Sequence, residues 1–389
     1  MPHDAATPSQ CTPPGSEPSI KLSLVIPCYN EQKTLEACVS RCLELIKHDI
    51  SLELIIVDDC STDGSAAIGE RLAESHPEIL FLRHERNMGK GAALRTGFLH
   101  ATGMYVGIQD ADAEYQPLDY LELLQPLISK KADVVYGSRY LRQDTRRVLY
   151  FWHTWMNRSL TFISNMFTNL DITDMETCYK LFSREALLKL IPHLHENRFG
   201  IEPEITSAVS LLRCRVYECA IHYNPRSYEE GKKIGWRDGI RALYCILHYG
   251  APHAPLPMQI LLYAIIGALC AIVNIIAFSG LFFWGLGLAE ATVAAFIIAA
   301  ASNYFLCIAI LFQHKARWSG PGEVFVYILS VLCMCLIDVG VTLGLVQIGM
   351  SPIWSKTWAT LIGFAGNFLF RKYLVFGGSV PSISGQREL

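Results

Sequence analysis

A chain of 389 residues leaves room for two domains of ordinary size. Hydrophobic residues make up 51% and charged residues 18%, and the mean hydropathy is +0.26. A wholly soluble enzyme is usually more polar, so part of the chain is expected in lipid. The net charge of −3 gives no basis for a nucleic-acid partner.

The 13 cysteines are odd in number and scattered, with no Cys-x-x-Cys pair, and Cys270, Cys307, Cys333 and Cys335 lie in apolar runs. Reduced, packed thiols explain them better than disulfides or zinc. Residues 1–19 are rich in Pro, Ser and Thr and lack an apolar core. They read as a disordered tail, not a secretory signal, with the folded part beginning in the cytosol. Residues 379–389 read as a second tail.

From Lys21 to about Tyr136, short apolar runs alternate with amphipathic helices. Candidate strands are Leu22–Ile26, Leu52–Val57, Ile79–Leu82, Tyr105–Ile108 and Val134–Tyr136. Between the first two, Leu35, Val39, Cys42, Leu43 and Ile46 recur at helical spacing, with Asn30 placed to cap the helix. This alternation predicts an α/β fold: a Rossmann-like, mostly parallel sheet with helices on both faces. Such sheets bind ligands at the carboxyl ends of their strands.

Four apolar runs follow, roughly Pro257–Trp284, Thr292–Phe312, Val324–Ile348 and Ile353–Phe370. Each is long enough, or nearly so, to span a bilayer core of about 30 Å as a helix. Basic residues set the orientation: His314, Lys315 and Arg317 in the middle connection, and Arg371 and Lys372 after the last run. The first connection has no Lys or Arg and the third only Lys356, so both termini and the middle loop are expected on the cytoplasmic side. A shift of 64 residues pairs Asn274 with Asp338, Asn303 with Asn367, Tyr263 with Tyr327 and Phe312 with Phe376. Two duplicated hairpins of the same orientation would produce this. The expected division is a catalytic domain over 20–235, a juxtamembrane helix over 236–256, and a four-helix transmembrane domain over 257–378.

Three polar clusters close predicted strands: Pro27-Cys28-Tyr29-Asn30-Glu31, Val57-Asp58-Asp59 followed by Asp63, and Asp110-Ala111-Asp112-Ala113-Glu114. A carboxylate there can take a ribose hydroxyl or a base N–H, and Tyr29 offers the base a flat face. Asp58 and Asp63 equally fit a turn or helix cap. Two Asp one residue apart, just past a buried strand, can present oxygens to one hard cation. Mg²⁺ or Mn²⁺ held this way keeps positions open for a diphosphate and neutralises charge on a leaving nucleoside diphosphate.

In order and spacing these clusters resemble family-2 glycosyltransferases of the dolichyl-phosphate-mannose or polyprenyl-phosphate-glucose synthase type. The resemblance runs from about Leu22 to Tyr249, with Asn-x-Gly-Lys-Gly at Asn87–Gly91 and Gly-Ser-Arg-Tyr at Gly137–Tyr140 completing it. It implies a GT-A catalytic domain. It also implies nucleotide contacts from Pro27, Tyr29, Glu31, Val57, Asp59, Asp110, Ala111 and Asp112, and a metal held by Asp110, Asp112 and Glu114. Asp112 and Arg139 would be catalytic, with Arg139 facing the acceptor phosphate. The reaction implied is inverting transfer of one hexose from UDP-glucose or GDP-mannose to undecaprenyl or dolichyl phosphate. Mannose synthases of this type commonly carry Gly-Phe-Lys-Ile, whereas Arg198-Phe199-Gly200-Ile201 lacks the lysine, which weakens the case for mannose. The C-terminal part resembles a GtrA-like membrane domain, whose ending matches Asn367-Phe368…Phe376.

Basic residues suit two phosphate-bearing substrates. Arg139, Arg146 and Arg147 precede an aromatic stretch, and Arg226, Lys232 and Lys233 lie in a segment resembling the family's diphosphate-closing loop. Two apolar helical faces, near 146–168 (Phe151, Trp152, Trp155, Met156, Leu160, Ile163, Phe167) and from Trp236 through Ile240 and Leu243, are expected to rest on the membrane. Rival readings are a processive polysaccharide synthase and a membrane translocator of lipid-linked sugar with a regulatory soluble domain. Self-association is left open by the sequence.

Overall fold

The computed structural model describes residues 20–141, 147–225, 236–312 and 320–375. Arg146, Arg226, Lys232, Lys233, both tails, the loop holding His314, Lys315 and Arg317, and Phe376 lie outside the described residues. Contacts divide the chain into two units, one reaching Asn165 and resuming over Leu170–Cys245, the other holding Met166–Asn169 and everything from Ile246.

The first unit alternates strands and helices: β1 (Ile20–Cys28), α1 (Leu35–Leu43), β2 (Ile50–Asp58), α2 (Ser65–Ser75), β3 (Ile79–Arg83), α3 (Lys90–His100), β4 (Tyr105–Ile108), α4 (Tyr120–Ile128) and β5 (Val134–Ser138). Then come α5 (Phe151–Thr168), β6 (Lys180–Ser183), α6 (Arg184–Leu190), α7 (Ile201–Leu211), β7 (Val216–Ala220) and α8 (Trp236–Gly250). The strands form one sheet in the order β3-β2-β1-β4-β6-β5-β7. Its centre is parallel, with Leu24 of β1 opposite Leu54 of β2 and Gly107 of β4. Leu22, Leu24, Val25 and Ile26 are fully buried, the unbroken apolar run expected of a strand covered on both faces. All five expected strands form. Two others went unread: β6, antiparallel to both β4 and β5, and β7, parallel to β5. β6 has four residues and opens on a lysine, while β7 is half-exposed and carries Glu218. Neither gives a periodic apolar signal.

Asn30 does not cap α1. It stands in a left-handed conformation at φ 55°, and its Oδ1 accepts the Thr62 N–H at 2.8 Å, tying the end of β1 to the loop after β2. Thr34 occupies the cap position instead.

The second unit is helical: α9 (Leu256–Phe283), α10 (Leu288–Leu306), α11 (Gly320–Gln347) and α12 (Pro352–Phe370). α9 packs along α10 and α11 along α12, as two hairpins. Among the described residues, Leu256–Phe283 and Val293–Leu311 are long and apolar enough to cross a membrane. The second helix of each hairpin widens into a π-helical end, at Cys307–Phe312 and Arg371–Val375, and these begin 64 residues apart. That matches the period of the sequence repeat.

The contact of α3 with β1 tolerates no side chain at Gly97, where an added Cβ would lie 2.2 Å from Val25 Cγ1. Gly97→Val is expected to destabilise the first unit by about 1–3 kcal/mol through overpacking. Thermal unfolding of the variant as stable as the parent would show that α3 shifts freely.

Candidate active site

The site is built where β1, β2 and β4 end. At the end of β2 the two aspartates part ways. Asp58 is fully buried; its Oδ2 accepts the Ser61 N–H at 3.1 Å and lies 3.3 Å from Arg83 Nε. Asp59 is 3% exposed, and its carboxylate already meets three donors. These are His84 Nδ1 at 2.8 Å, Met88 N at 2.8 Å and Gly89 N at 2.6 Å. Gly89 takes φ 98°, and a Cβ there would meet the Asn197 carbonyl at 2.3 Å, so only glycine lets this loop close. Asp59 therefore anchors the Asn87–Gly91 loop and delivers Lys90, a role the sequence did not reveal. Asp63 takes the capping alternative: Oδ1 accepts Ser65 N at 2.9 Å and Oδ2 accepts Gln32 N at 3.2 Å.

Lys90 is the centre of the arrangement. Its Nζ lies 3.0 Å from Asp110 Oδ1 and 2.8 Å from Glu202 Oε1 on α7. Burial alone would pull its pKa down, but Asp110, Cys178 and Glu202 outweigh it and hold the ammonium firmly charged. The Asp110 side chain is still 22% exposed, so a ligand can reach it.

The turn after β4 rests on an aromatic floor. Tyr120 donates to the Ile108 carbonyl at 2.6 Å and Tyr179 to Gln109 Oε1 at 2.6 Å; Tyr115 stacks on Tyr179 with centroids 4.6 Å apart. Arg41 of α1 clamps the far side, donating to the Ala113 carbonyl at 3.0 Å and the Tyr115 carbonyl at 2.6 Å. Ala113 is left-handed at φ 59°, a conformation costly for a residue with a Cβ. Two of the expected metal ligands are engaged within the chain here. Asp112 Oδ1 accepts the Glu114 N–H at 3.1 Å, while Glu114 Oε2 accepts the Tyr223 hydroxyl at 2.7 Å.

Among the described residues no three His, Cys, Asp or Glu side chains converge into a ready metal cage. The expected triad of Asp110, Asp112 and Glu114 is thus not preformed. Asp110 and Asp112 still fit a hard divalent cation. Such an ion is commonly held by one or two carboxylates with substrate phosphates supplying further oxygens.

Arg139 follows β5 and is held by Asp174 through Nε and Nη2, each at 2.7 Å, with its backbone N–H on the same carboxylate at 3.1 Å. The two side chains are 7% and 0% exposed. The Tyr223 ring lies 5.2 Å from the guanidinium, so Arg139 and Glu114 share one tyrosine. Burial opposes the charge, but the Asp174 carboxylate overrides it. Nη1 makes no hydrogen bond to the described residues and is left for a ligand. Close by, burial and the Glu202 charge push Glu176 up to about 8.

Of the other expected contacts, Tyr29 is 40% exposed and Pro27 half-buried. Glu31 Oε2 accepts from Thr34 Oγ1 at 2.8 Å. Val57 and Ala111 are buried side chains, 0% and 3% exposed. They support the cleft from within, and contact from their side chains to a nucleotide is closed off. Arg147 donates to the Pro225 carbonyl at 3.0 Å. Sequence reading missed Arg41, His84, Asp174, Glu202 and Tyr223. Each acts through another residue and leaves no local motif.

α5 is inverted relative to a core helix. Asn157, Thr161, Ser164 and Thr168 are buried, while Phe151 (69%), Trp152 (72%) and Phe162 (66%) are exposed. An apolar face of that size turned outward marks a lipid or partner surface. Leu160 and Phe167, expected on the membrane face, are buried instead.

A mixed sheet in this order, with carboxylates at its parallel strand ends, is the GT-A arrangement of a glycosyltransferase. Comparison with known proteins agrees. Residues 23–191 match Glycosyl transferase family 2, and residues 262–376 match the GtrA/DPMS transmembrane domain. A dolichyl-phosphate beta-glucosyltransferase of Saccharomyces cerevisiae is 30% identical over 233 residues, covering 53% of this chain and 67% of that one. Another, of Trichomonas vaginalis, is 28% identical over 222 residues, 54% of this chain and 67% of the relative. The glucosyl-3-phosphoglycerate synthase of Mycobacterium tuberculosis, solved with Mn²⁺ and UDP, superposes with a TM-score of 0.46 at 18% identity, over 59% of this chain and 80% of that one. The chain belongs to the family-2 glycosyltransferases, and it is a membrane protein carrying a GtrA/DPMS-type transmembrane domain.

The Arg139–Asp174 pair gives a direct test. Asp174→Asn strands a buried guanidinium and is expected to cost about 3–5 kcal/mol of stability. Denaturant unfolding unchanged by that substitution would show that Arg139 is held some other way.

Proposed function

We propose that the protein transfers one hexose from a nucleotide sugar to a polyprenyl phosphate at the cytoplasmic face of a membrane. The observation that carries this reading is the pairing of Asp110, tied to Lys90 and still 22% exposed, with Arg139, whose Nη1 is left over from a bidentate clamp. One group suits a cation-bound diphosphate, the other an acceptor phosphate. The named activity of the relatives favours glucose as the sugar, and the missing lysine near Phe199 agrees.

Tyr29 and Glu31 are proposed to meet the nucleoside. A divalent cation held by Asp110 and Asp112 would supply charge neutralisation for the departing nucleoside diphosphate. Lys90, fixed between Asp110 and Glu202, keeps that corner from becoming too negative to admit a diphosphate. The acceptor is already an anion, so no strong general base is required. Its phosphate oxygen forms the new bond to the anomeric carbon as the bond to the diphosphate oxygen breaks on the opposite face, which inverts the centre. Arg139 positions the attacking phosphate, and the chain's contribution is alignment and charge stabilisation. The outward apolar face of α5, and Ile240 and Tyr244 on α8, 59% and 51% exposed, are proposed to rest on the cytoplasmic leaflet where the lipid is presented. The transmembrane unit is proposed to cross four times.

Purified full-length protein, given Mg²⁺ or Mn²⁺, a panel of nucleotide sugars and undecaprenyl or dolichyl phosphate, is expected to form a single chloroform-soluble glycolipid from a glucose donor. Asp112→Asn is expected to lower the rate by about a hundredfold or more. A long polymer, or no metal-dependent product from any donor, would overturn the reading.

A further inference from the structure

The transmembrane unit holds a buried cation that the catalytic reading does not use. Arg371, at the end of α12, is 6% exposed. Its partners are Asn303 Oδ1, Cys307 Sγ at 3.7 Å and Tyr327 Oη at 3.3 Å. The rings of Tyr263 and Tyr327 lie 5.4 and 5.0 Å from the guanidinium. Every one of these groups is neutral. Among the described residues no carboxylate pairs with Arg371, and its Nε and the nearby Asn367 Oδ1 are buried without a hydrogen bond.

A charge inside an apolar helical unit is costly, and such residues commonly mark a ligand path. Two rings and an amide ease that cost without cancelling the charge. The unpaired Nε–H is a donor, and Asn367 offers a second if its amide is turned, since the O and N positions are assigned and not observed. A guanidinium with unused N–H and no carboxylate is suited to an oxyanion with several acceptor oxygens, which is phosphate chemistry.

The position is equally informative. Tyr263 lies seven residues into α9 and Tyr327 seven residues into α11, while Asn303 and Arg371 stand at the far ends of α10 and α12. All therefore gather at one end of the four helices, the end that positive charge in the sequence places in the cytoplasmic leaflet. At a rise of roughly 1.5 Å per residue the tyrosines sit about 10 Å from the helix starts, within reach of a lipid headgroup. The 64-residue repeat relates Tyr263 to Tyr327, Asn303 to Asn367, and Cys307 to Arg371. Two equivalent half-sites thus share a single charge, between the repeat-related tyrosines.

We infer that this cluster is a phosphate-binding seat within the membrane, which holds the phosphate of the polyprenyl lipid through Arg371 and its repeat-related surroundings. The inference rests on the proposed acceptor and extends it: the transmembrane unit binds the lipid in its own right, at a place separate from Arg139.

The test uses full-length protein in vesicles of neutral lipid. Binding of undecaprenyl phosphate is measured against phosphatidylglycerol and inorganic phosphate as competitors. Arg371→Gln is expected to weaken undecaprenyl-phosphate binding about tenfold, and the acceptor KM should rise more than kcat falls. Asp112→Asn should keep wild-type binding. Because loss of Arg371 could loosen the helices, Cys307→Arg combined with Arg371→Cys moves the charge to the repeat-related position and is expected to restore binding. Tyr263→Phe, which removes only a hydroxyl, reports on the seat without emptying it. Wild-type affinity and acceptor KM in folded Arg371→Gln overturn the inference while leaving the transferase reading intact. Equal displacement by inorganic phosphate or phosphatidylglycerol overturns the assignment to the polyprenyl lipid. Arg371-dependent binding with no glycolipid from any donor leaves the seat standing and removes the transferase reading instead.

Discussion

Carboxylates crowded at the ends of parallel strands repel one another, and the catalytic unit answers them with cations, backbone N–H groups and hydroxyls. Lys90 is the hinge of that balance, because its ammonium joins Asp110 of the β4 turn to Glu202 of α7. The Asn87–Gly91 loop that carries it is in turn fastened to Asp59 by two backbone N–H groups. The ends of β2 and β4 and the start of α3 are thereby fixed together by charge. The buried pair of Arg139 and Asp174 repeats the device beyond β5. Buried ion pairs add little net stability against apolar packing, but they hold geometry. Geometry is what a transfer without a general base depends on.

The carboxyl-terminal edge of the sheet was legible because it combines short apolar strands with polar endings, a pattern with a direct physical cause. Leu24, Leu54 and Val106 had to be strand core, and Asp59, Asp110 and Asp112 had to follow. What those carboxylates do was less legible. Asp59, expected as a ligand contact, also anchors a loop, and its donors come from residues 84–89, about 25 to 30 positions away. Glu114, expected as a metal ligand, accepts a hydrogen bond from Tyr223, 109 residues later. Spacing along the chain says nothing about such partners. β6 escaped notice for a related reason: Lys180, at its start, is fully buried by donating to the Met175 and Thr177 carbonyls. A buried lysine defeats a search for apolar periodicity.

The second unit follows a different rule. Its helices carry little amphipathic signal, and what distinguishes one position from another is the rare polar residue. The repeat was visible through Asn303, Asn367, Tyr263 and Tyr327 because those types are scarce among Leu and Ala. The structure gathers three of them around Arg371. The arginine itself drew attention only as a flanking positive charge. Its burial could not be read from sequence, because a basic residue at the end of an apolar run ordinarily reaches toward the interface.

The claim on which the catalytic account stands is that Asp110 and Asp112 together grip the cation that accompanies a nucleoside diphosphate. Electron paramagnetic resonance of Mn²⁺ bound to the full-length protein, with and without UDP, tests it most directly. The account predicts a protein-bound Mn²⁺ signal that strengthens with UDP and is lost when Asp110 and Asp112 are both changed to Asn. The same bound signal in the doubly substituted protein would contradict it.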